Sequence, residues 1–139
     1  MLFGEYNQNM DAKGRIIVPA KLRDGLGEIF YITKGLGGCL WAFSQEAWSE
    51  IEKKVSALPL AEGRNITRFL FSGAMEAIPD VPGRVLLPPN LRKHANLTRE
   101  VTFLGTNNRM EIWDTAAWNK ACEDFDEAKL EEQMEKLGF

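Results

Sequence analysis

"DAKGRIIVPAKLR" occupies residues 11–23, and "DVPGRVLLPPNLR" occupies residues 80–92. Asp, Gly, Arg, Pro, Leu and Arg stand at matching places, 69 residues apart, and the first Arg of each is followed by three aliphatic residues. The correspondence continues beyond the phrase. "YITKGLGGCLWAFSQEAWSEIEKKV" (31–55) matches "VTFLGTNNRMEIWDTAAWNKACEDF" (101–125), with Gly35 against Gly105, Leu40 against Met110, Ala47 against Ala117 and Trp48 against Trp118. Each copy therefore spans about 50 residues, long enough to be a structural unit. Two units too small to close a core alone bury one against each other.

Both copies read alike. A first strand, Leu2–Met10 in copy one and Met75–Ile78 in copy two, leads into the turn. "RIIVP" and "RVLLP" are aliphatic and β-branched strands stopped by Pro19 and Pro88. Proline suits the first turn of a helix, where its missing donor is not needed, so "AKLRDGL" and "NLRKHANL" are expected to be short helices. "IFYITKG" and "EVTFLGT" then read as strands, with turns at "GLGG" and "GTNNR", and "CLWAF" and "MEIWD" as the returning strands. Ser44 and Asp114 suit the N-caps of longer helices. Trp48, Ile51, Val55 and Leu58 fall on one face of the first of these, and Trp118, Cys122 and Phe125 on one face of the second. A helix near Ile66–Ser72 joins the copies. The expected class is α+β, in four segments: 1–58 the first unit and its helix, 59–74 the link, 75–128 the second unit and its helix, and 129–139 an acidic helical tail.

In "DAKG", Asp11 stands first and Gly14 fourth in a type I turn, where Asp caps through its side chain and Gly accepts a positive φ. In "DVPG", Pro82 would fall at the third position, which a type I turn disfavours; Pro82-Gly83 instead fits the middle of a type II turn. The two loops are thus expected to differ locally. Arg15 and Arg84 leave these turns at strand starts, and each can either pair with the nearby Asp or reach outward.

The bulk numbers narrow the function. The chain has 139 residues, 45% of them hydrophobic, and no run of 18 apolar residues, so no membrane-crossing helix is expected. The N-terminus lacks the pattern of a secretory signal. Cys39 and Cys122 have no paired spacing and read as two free, buried thiols in a reducing cytoplasm. The net charge of −3 is unevenly spread. Residues 111–139 carry −6 and the preceding 110 carry +3, so an acidic end masks a mildly basic body. His94, the only histidine, is expected at the surface and cannot alone make a metal site or a triad. "GLGG" lacks the length and the Lys of a phosphate-binding loop. No nucleophile–base set or nucleotide motif is present, so the protein does not read as an enzyme, and no cofactor or small-molecule substrate is implied. Trp48 and Trp118 read as core, while Trp41 and Trp113 suit either the barrel or a subunit interface.

The doubled DxxGR phrase, with "FSGAME" and "EIWD" followed two residues later by "AW", closely resembles the MraZ proteins over residues 1 to about 125. These are similar to AbrB-type transcription factors, in which β-β-α-β units interleave as swapped hairpins. The resemblance implies an intramolecular AbrB-like swapped-hairpin barrel built from the tandem units, with flanking helices. It also implies a ring-shaped homo-oligomer, located in the cytoplasm at the nucleoid. Its ligand would be double-stranded DNA: short direct repeats upstream of the cell-division and cell-wall gene cluster that holds its own gene. Repression is the usual expectation. The implied DNA contacts are Asp11, Gly14 and Arg15 in copy one and Asp80, Gly83 and Arg84 in copy two.

Arginine can fork onto phosphate oxygens or onto guanine O6 and N7, or it can simply stiffen its own turn through Asp. Lys13, Lys21, Arg23 and Arg92 gather around the same two phrases. They form either a phosphate-neutralising surface or ordinary solvated charge. Two functional classes follow: a sequence-specific DNA-binding regulator, and a protein-interaction or scaffold ring whose DNA binding is incidental. The net negative charge and the more apolar second loop favour the latter; the paired DxxGR units favour the former.

Overall fold

A computed structural model describes all residues 1–139. The chain runs β1 (Leu2–Asn9), β2 (Arg15–Ile17), α1 (Ala20–Leu26), β3 (Phe30–Lys34), β4 (Leu40–Ser44), α2 (Gln45–Ser56) and α3 (Leu60–Leu70). It then repeats as β5 (Met75–Ala77), β6 (Arg84–Leu86), α4 (Pro89–His94), β7 (Glu100–Asn107), β8 (Met110–Asp114) and α5 (Thr115–Glu123), and ends in α6 (Glu127–Glu135). The class is α+β. The strand stops at Pro19 and Pro88 fall where expected, as do the side-chain caps of α2 and α5: Ser44 Oγ accepts from Ala47 N–H at 3.2 Å and Asp114 Oδ2 from Ala117 N–H at 3.1 Å. The linking helix begins at Leu60 rather than near Ile66, because Pro59 starts it.

All strand pairing is antiparallel, and the copies are interleaved. A six-stranded sheet has the order β1-β7-β8-β4-β3-β5. The hairpins β3–β4 and β7–β8 meet at its centre, Leu40 against Ile112. The first strand of each copy pairs with the third strand of the other: β1 lies on β7, Leu2 against Asn107 through Asn9 against Glu100, and β5 lies on β3. The remaining strands, β2 and β6, form a two-stranded ribbon with Arg15 against Leu86, Ile16 against Val85 and Ile17 against Arg84. The expected closed barrel is not formed. β1 and β5 remain the two edges of an open sheet, and β2–β6 is a separate ladder.

One core serves both copies. The ribbon contributes Ile16, Val18, Val85 and Leu87, the short helices Leu22, Leu26 and Leu91, and the sheet Phe30, Ile32, Phe103 and Ile112. Full burial of such a side chain is worth about 1.5–3 kcal/mol, so neither half keeps its share without the other. Trp48 is buried, stacked on Tyr31 with ring centroids 5.3 Å apart and meeting Phe71 edge-on at 5.1 Å. This cluster seats α2 and α3.

Expectations about four single residues need correction. Cys122 is exposed, and only Cys39 is buried; Phe125 lies beyond the end of α5, which stops at Glu123, and is also exposed. Trp118 is half-buried, not core: it leans on Trp113 and donates from Nε1 to Glu5 at 3.0 Å. The periodicity gives α5 one apolar face, but the helix lies along the outer part of the sheet, where that face is only partly covered. His94 is half-buried. Its Nε2 lies 2.9 Å from the carbonyl of Gly35 and its ring meets Phe69 edge-on, so it ties α4 to the end of β3.

Candidate functional site

The ribbon alternates strictly. Ile16, Val18, Val85 and Leu87 point into the core at 0–5% exposure, so Arg15, Ile17, Arg84 and Leu86 face outward. The outward face thus carries an Arg opposite an aliphatic side chain twice over, in opposite senses. The ladder extends by one bond at each end: Val18 N–H donates to Gly83 O at 2.9 Å and Leu87 N–H to Gly14 O at 3.0 Å. The two DxxGR turns therefore stand at opposite ends of one ribbon.

Each turn closes on its own Asp. Gly14 N–H donates to Asp11 O at 3.0 Å and Gly83 N–H to Asp80 O at 2.9 Å. Asp11 Oδ1 accepts from Arg15 N–H at 2.9 Å and its Oδ2 from Arg15 Nε at 2.6 Å. Asp80 does the same for Arg84, at 2.7 Å and 2.7 Å. Gly14 and Gly83 hold φ of +87° and +95°, which glycine adopts without the penalty other residues meet. The expected local difference between the loops is thus small: both have the same frame. They differ in that Lys13 N–H also donates to Asp11 Oδ1, at 3.0 Å, whereas Pro82 has no donor.

The second arginine of each phrase belongs to the other copy's turn. Arg92 Nε donates to Leu87 O at 2.9 Å, and its guanidinium lies over Gly14: a Cβ there would sit 2.8 Å from Arg92 Cζ. Arg23 Nε donates to Val18 O at 3.0 Å and covers Gly83 in the same way, also at 2.8 Å. The result is two mixed clusters. One holds Asp11, Arg15 and Arg92; the other holds Asp80, Arg84 and Arg23. In all four arginines Nε is tied down and the terminal nitrogens make no hydrogen bond within the chain. Each guanidinium is thereby oriented with its fork unspent, the arrangement suited to a bidentate anion or base edge. The Asp-pairing and outward-reaching readings of Arg15 and Arg84 are both geometrically realised.

The carboxyl groups respond to this setting. Asp11 is held below the usual carboxylate range, chiefly by the hydrogen bond from Arg15 N–H and further by the guanidinium. At Asp80 partial desolvation acts to raise the value, but the N–H and guanidinium of Arg84 outweigh it and the net shift is downward. Lys13 and Lys21 are exposed beside copy one, and neither has a cationic counterpart in copy two, where Pro82 and Asn90 stand. Six cations thus stand around the two turn carboxylates, while Asp24 and Glu28 line the same cleft as Arg23 and Asp80, on a chain whose overall charge is −3.

The structure brings Asp11, Arg15 and Arg92 together at one turn and Asp80, Arg84 and Arg23 at the other; sequence reasoning does not assign Arg23 to Gly83 or Arg92 to Gly14. The spacing of nine residues from turn Gly to second Arg is the same in both copies and does not say which Arg covers which Gly. Sequence reasoning also passes over Ile17 and Leu86, aliphatic yet exposed.

The family model "MraZ protein, putative antitoxin-like" matches residues 1–67 and 70–137. The chain belongs to the MraZ family. Its relatives include proteins named "Transcriptional regulator MraZ" from three bacteria. The one from Acetivibrio thermocellus is 44% identical, covering 100% of both chains. Those from a Thermoanaerobacter species and from Carboxydothermus hydrogenoformans are 45% and 46% identical, each over 99% of this chain and 96% of the relative. No helix of the chain is long and apolar enough to cross a membrane.

Proposed function

We propose that the outward face of the β2–β6 ribbon binds the major groove of double-stranded DNA, and that the protein is a sequence-specific transcriptional regulator rather than an enzyme. The observation that carries this reading is the pair of mixed arginine clusters at the two ends of one ribbon, each with its guanidinium forks unspent. The major groove, about 12 Å wide, admits a two-stranded β-ribbon. Arg15 and Arg84 are the base-reading residues, placed by Asp11 and Asp80 and by the turn glycines Gly14 and Gly83. Lys13, Lys21, Arg23 and Arg92 hold phosphates. The names of the relatives support the regulatory role.

The finer reading rests on the family resemblance. Two pseudo-symmetric units, 1–58 and 75–128, are joined by 59–74 and followed by the tail 129–139. Their crossed strand pairing supports an AbrB-like swapped-hairpin arrangement in an open form. The subunits assemble into a homo-oligomeric ring in the cytoplasm, at the nucleoid. The ring engages direct repeats upstream of the cell-division and cell-wall gene cluster and represses it, its own operon included. One subunit offers few cations; repeating the patch multiplies weak contacts when the spacing fits.

The test is fluorescence anisotropy on the DNA upstream of the protein's own gene and on scrambled DNA, across a salt series. Parent, Arg15→Ala and Arg84→Ala are compared after each is shown to keep its oligomeric size. A preference for the upstream DNA is expected, with Arg15→Ala losing about 1–3 kcal/mol of affinity. Removing a cation that neutralises one phosphate should flatten the log–log salt slope by about 0.9. Binding insensitive to salt and to both substitutions sinks the reading. It would favour the scaffold ring, to which the exposed Ile78 and Val81 of the second loop point.

A further inference from the structure

The ribbon face carries a feature that cations do not explain. Ile17 and Leu86 occupy equivalent positions in the two copies, two residues after the first Arg of each, and are 40% and 57% exposed. Every other aliphatic residue of the two segments "RIIV" and "RVLL" is buried. Each exposed side chain also stands directly opposite an Arg: Ile17 against Arg84 and Leu86 against Arg15. An apolar group held at the same place in both copies, in the middle of a cationic face, calls for an apolar partner in an otherwise anionic setting. Two side chains alone fall far short of the roughly 800 Å² of surface that a protein partner needs on each side, and under the DNA-binding reading their partner lies in the groove. In the major groove one apolar group is displayed among the polar base edges, the C5-methyl of thymine.

We infer that Ile17 and Leu86 are specificity-determining residues that read thymine methyl groups, each beside a base contacted by the Arg across the ribbon. The inference rests on the DNA-binding reading above. Opposite side chains on a ribbon have their Cβ atoms about 4.5–5.5 Å apart, and successive base pairs rise about 3.4 Å. Each thymine therefore lies within about two base pairs of the base its neighbouring Arg contacts. Guanine is the usual choice of Arg in this groove.

The experiment starts by selecting a preferred duplex from a random pool with the full-length protein. Each thymine is then replaced in turn by uracil, which removes the methyl and nothing else. Dissociation constants are measured for the parent, Ile17→Ala, Leu86→Ala and the conservative Ile17→Val. For the parent, replacement of a thymine near a selected guanine weakens binding about fourfold, the worth of one buried methyl. That loss disappears in Ile17→Ala or in Leu86→Ala, according to the position, and largely persists in Ile17→Val. The uracil arm on the parent needs no variant to fold. The inference is overturned in three cases: the selected duplex has no thymine near its guanines, the parent is indifferent to uracil throughout, or the loss is undiminished in both alanine variants. In each of those cases a salt-dependent preference for the selected duplex leaves the DNA-binding reading standing. If no duplex is preferred over the pool, that reading fails and the inference fails with it.

Discussion

The interleaving of the two copies makes a sharp prediction about Gly14. Its φ of +87° costs an L-residue about 1–2 kcal/mol. In addition, a Cβ would lie 2.8 Å from both Cζ and Nε of Arg92. That side chain must move and give up its Nε–H bond to Leu87 O, worth about 1 kcal/mol. Alanine also narrows the unfolded ensemble, which returns about 0.4–1 kcal/mol. Gly14→Ala should therefore destabilise the fold by about 2 kcal/mol, a fall in melting temperature of roughly 6–10 °C for a chain of this size. The decisive assay is a double-mutant cycle by denaturant unfolding at fixed protein concentration. In an Arg92→Ala background the clash is absent, so the Gly14→Ala penalty should shrink by about 1 kcal/mol. In an Arg23→Ala background it should not change, although Arg23 is nine residues away in sequence and Arg92 is 78. Gly83 should show the mirror pattern, coupling to Arg23 and not to Arg92. Distant sites add within about 0.3–0.5 kcal/mol. A Gly14–Arg92 coupling inside that margin, or a Gly14–Arg23 coupling outside it, would refute the crossed packing.

Other consequences follow from the same geometry. Gly105 faces Gly4 across β1–β7, and a Cβ on it would sit 2.6 Å from the Cα of Phe3. Backbone cannot yield there without parting the strands, so Gly105→Ala should cost about 3 kcal/mol or more, with amide exchange rising along β1. The carboxyls of Asp11 and Asp80 are depressed below their ordinary value of 3.8. Their stabilising effect is therefore fully present above that pH and is lost as pH falls through the folded values. Thermal midpoints recorded against pH should show this loss in the parent, and it should be weaker in an Asp11→Asn, Asp80→Asn double variant. Burial pushes the Cys39 thiol up to about 12, whereas Cys122 is exposed. An alkylating reagent at pH 8 should modify one thiol per native chain and two in denaturant, and a count of two in the native protein would contradict the burial of Cys39.

Much of this was legible in the chain because turn chemistry is local. Asp at the first place of each turn and Gly at the fourth mark where φ turns positive, and Pro19 and Pro88 mark where strand gives way to helix. The caps Ser44 and Asp114 are equally local. What could not be read is which copy supplies which partner. Both copies carry the same Gly-to-Arg spacing, so sequence cannot distinguish Arg92 over Gly14 from Arg23 over Gly14; that choice is made by the pairing of β2 with β6. Barrel closure was beyond reach for a related reason, since no residue declares whether two edge strands will meet. The crossed arrangement also gives a reason for the phrase to occur twice on one chain. Arg15 is joined in its cluster by Arg92, and Arg84 by Arg23, so neither copy alone can assemble a complete cluster. The ribbon, too, needs a strand from each. With both copies in one polypeptide the two ends of the ribbon are free to diverge. Lys13 and Lys21 in copy one stand where copy two has Pro82 and Asn90, so one end carries two more cations while the other keeps the same turn, the same clasp and the same guanidinium geometry.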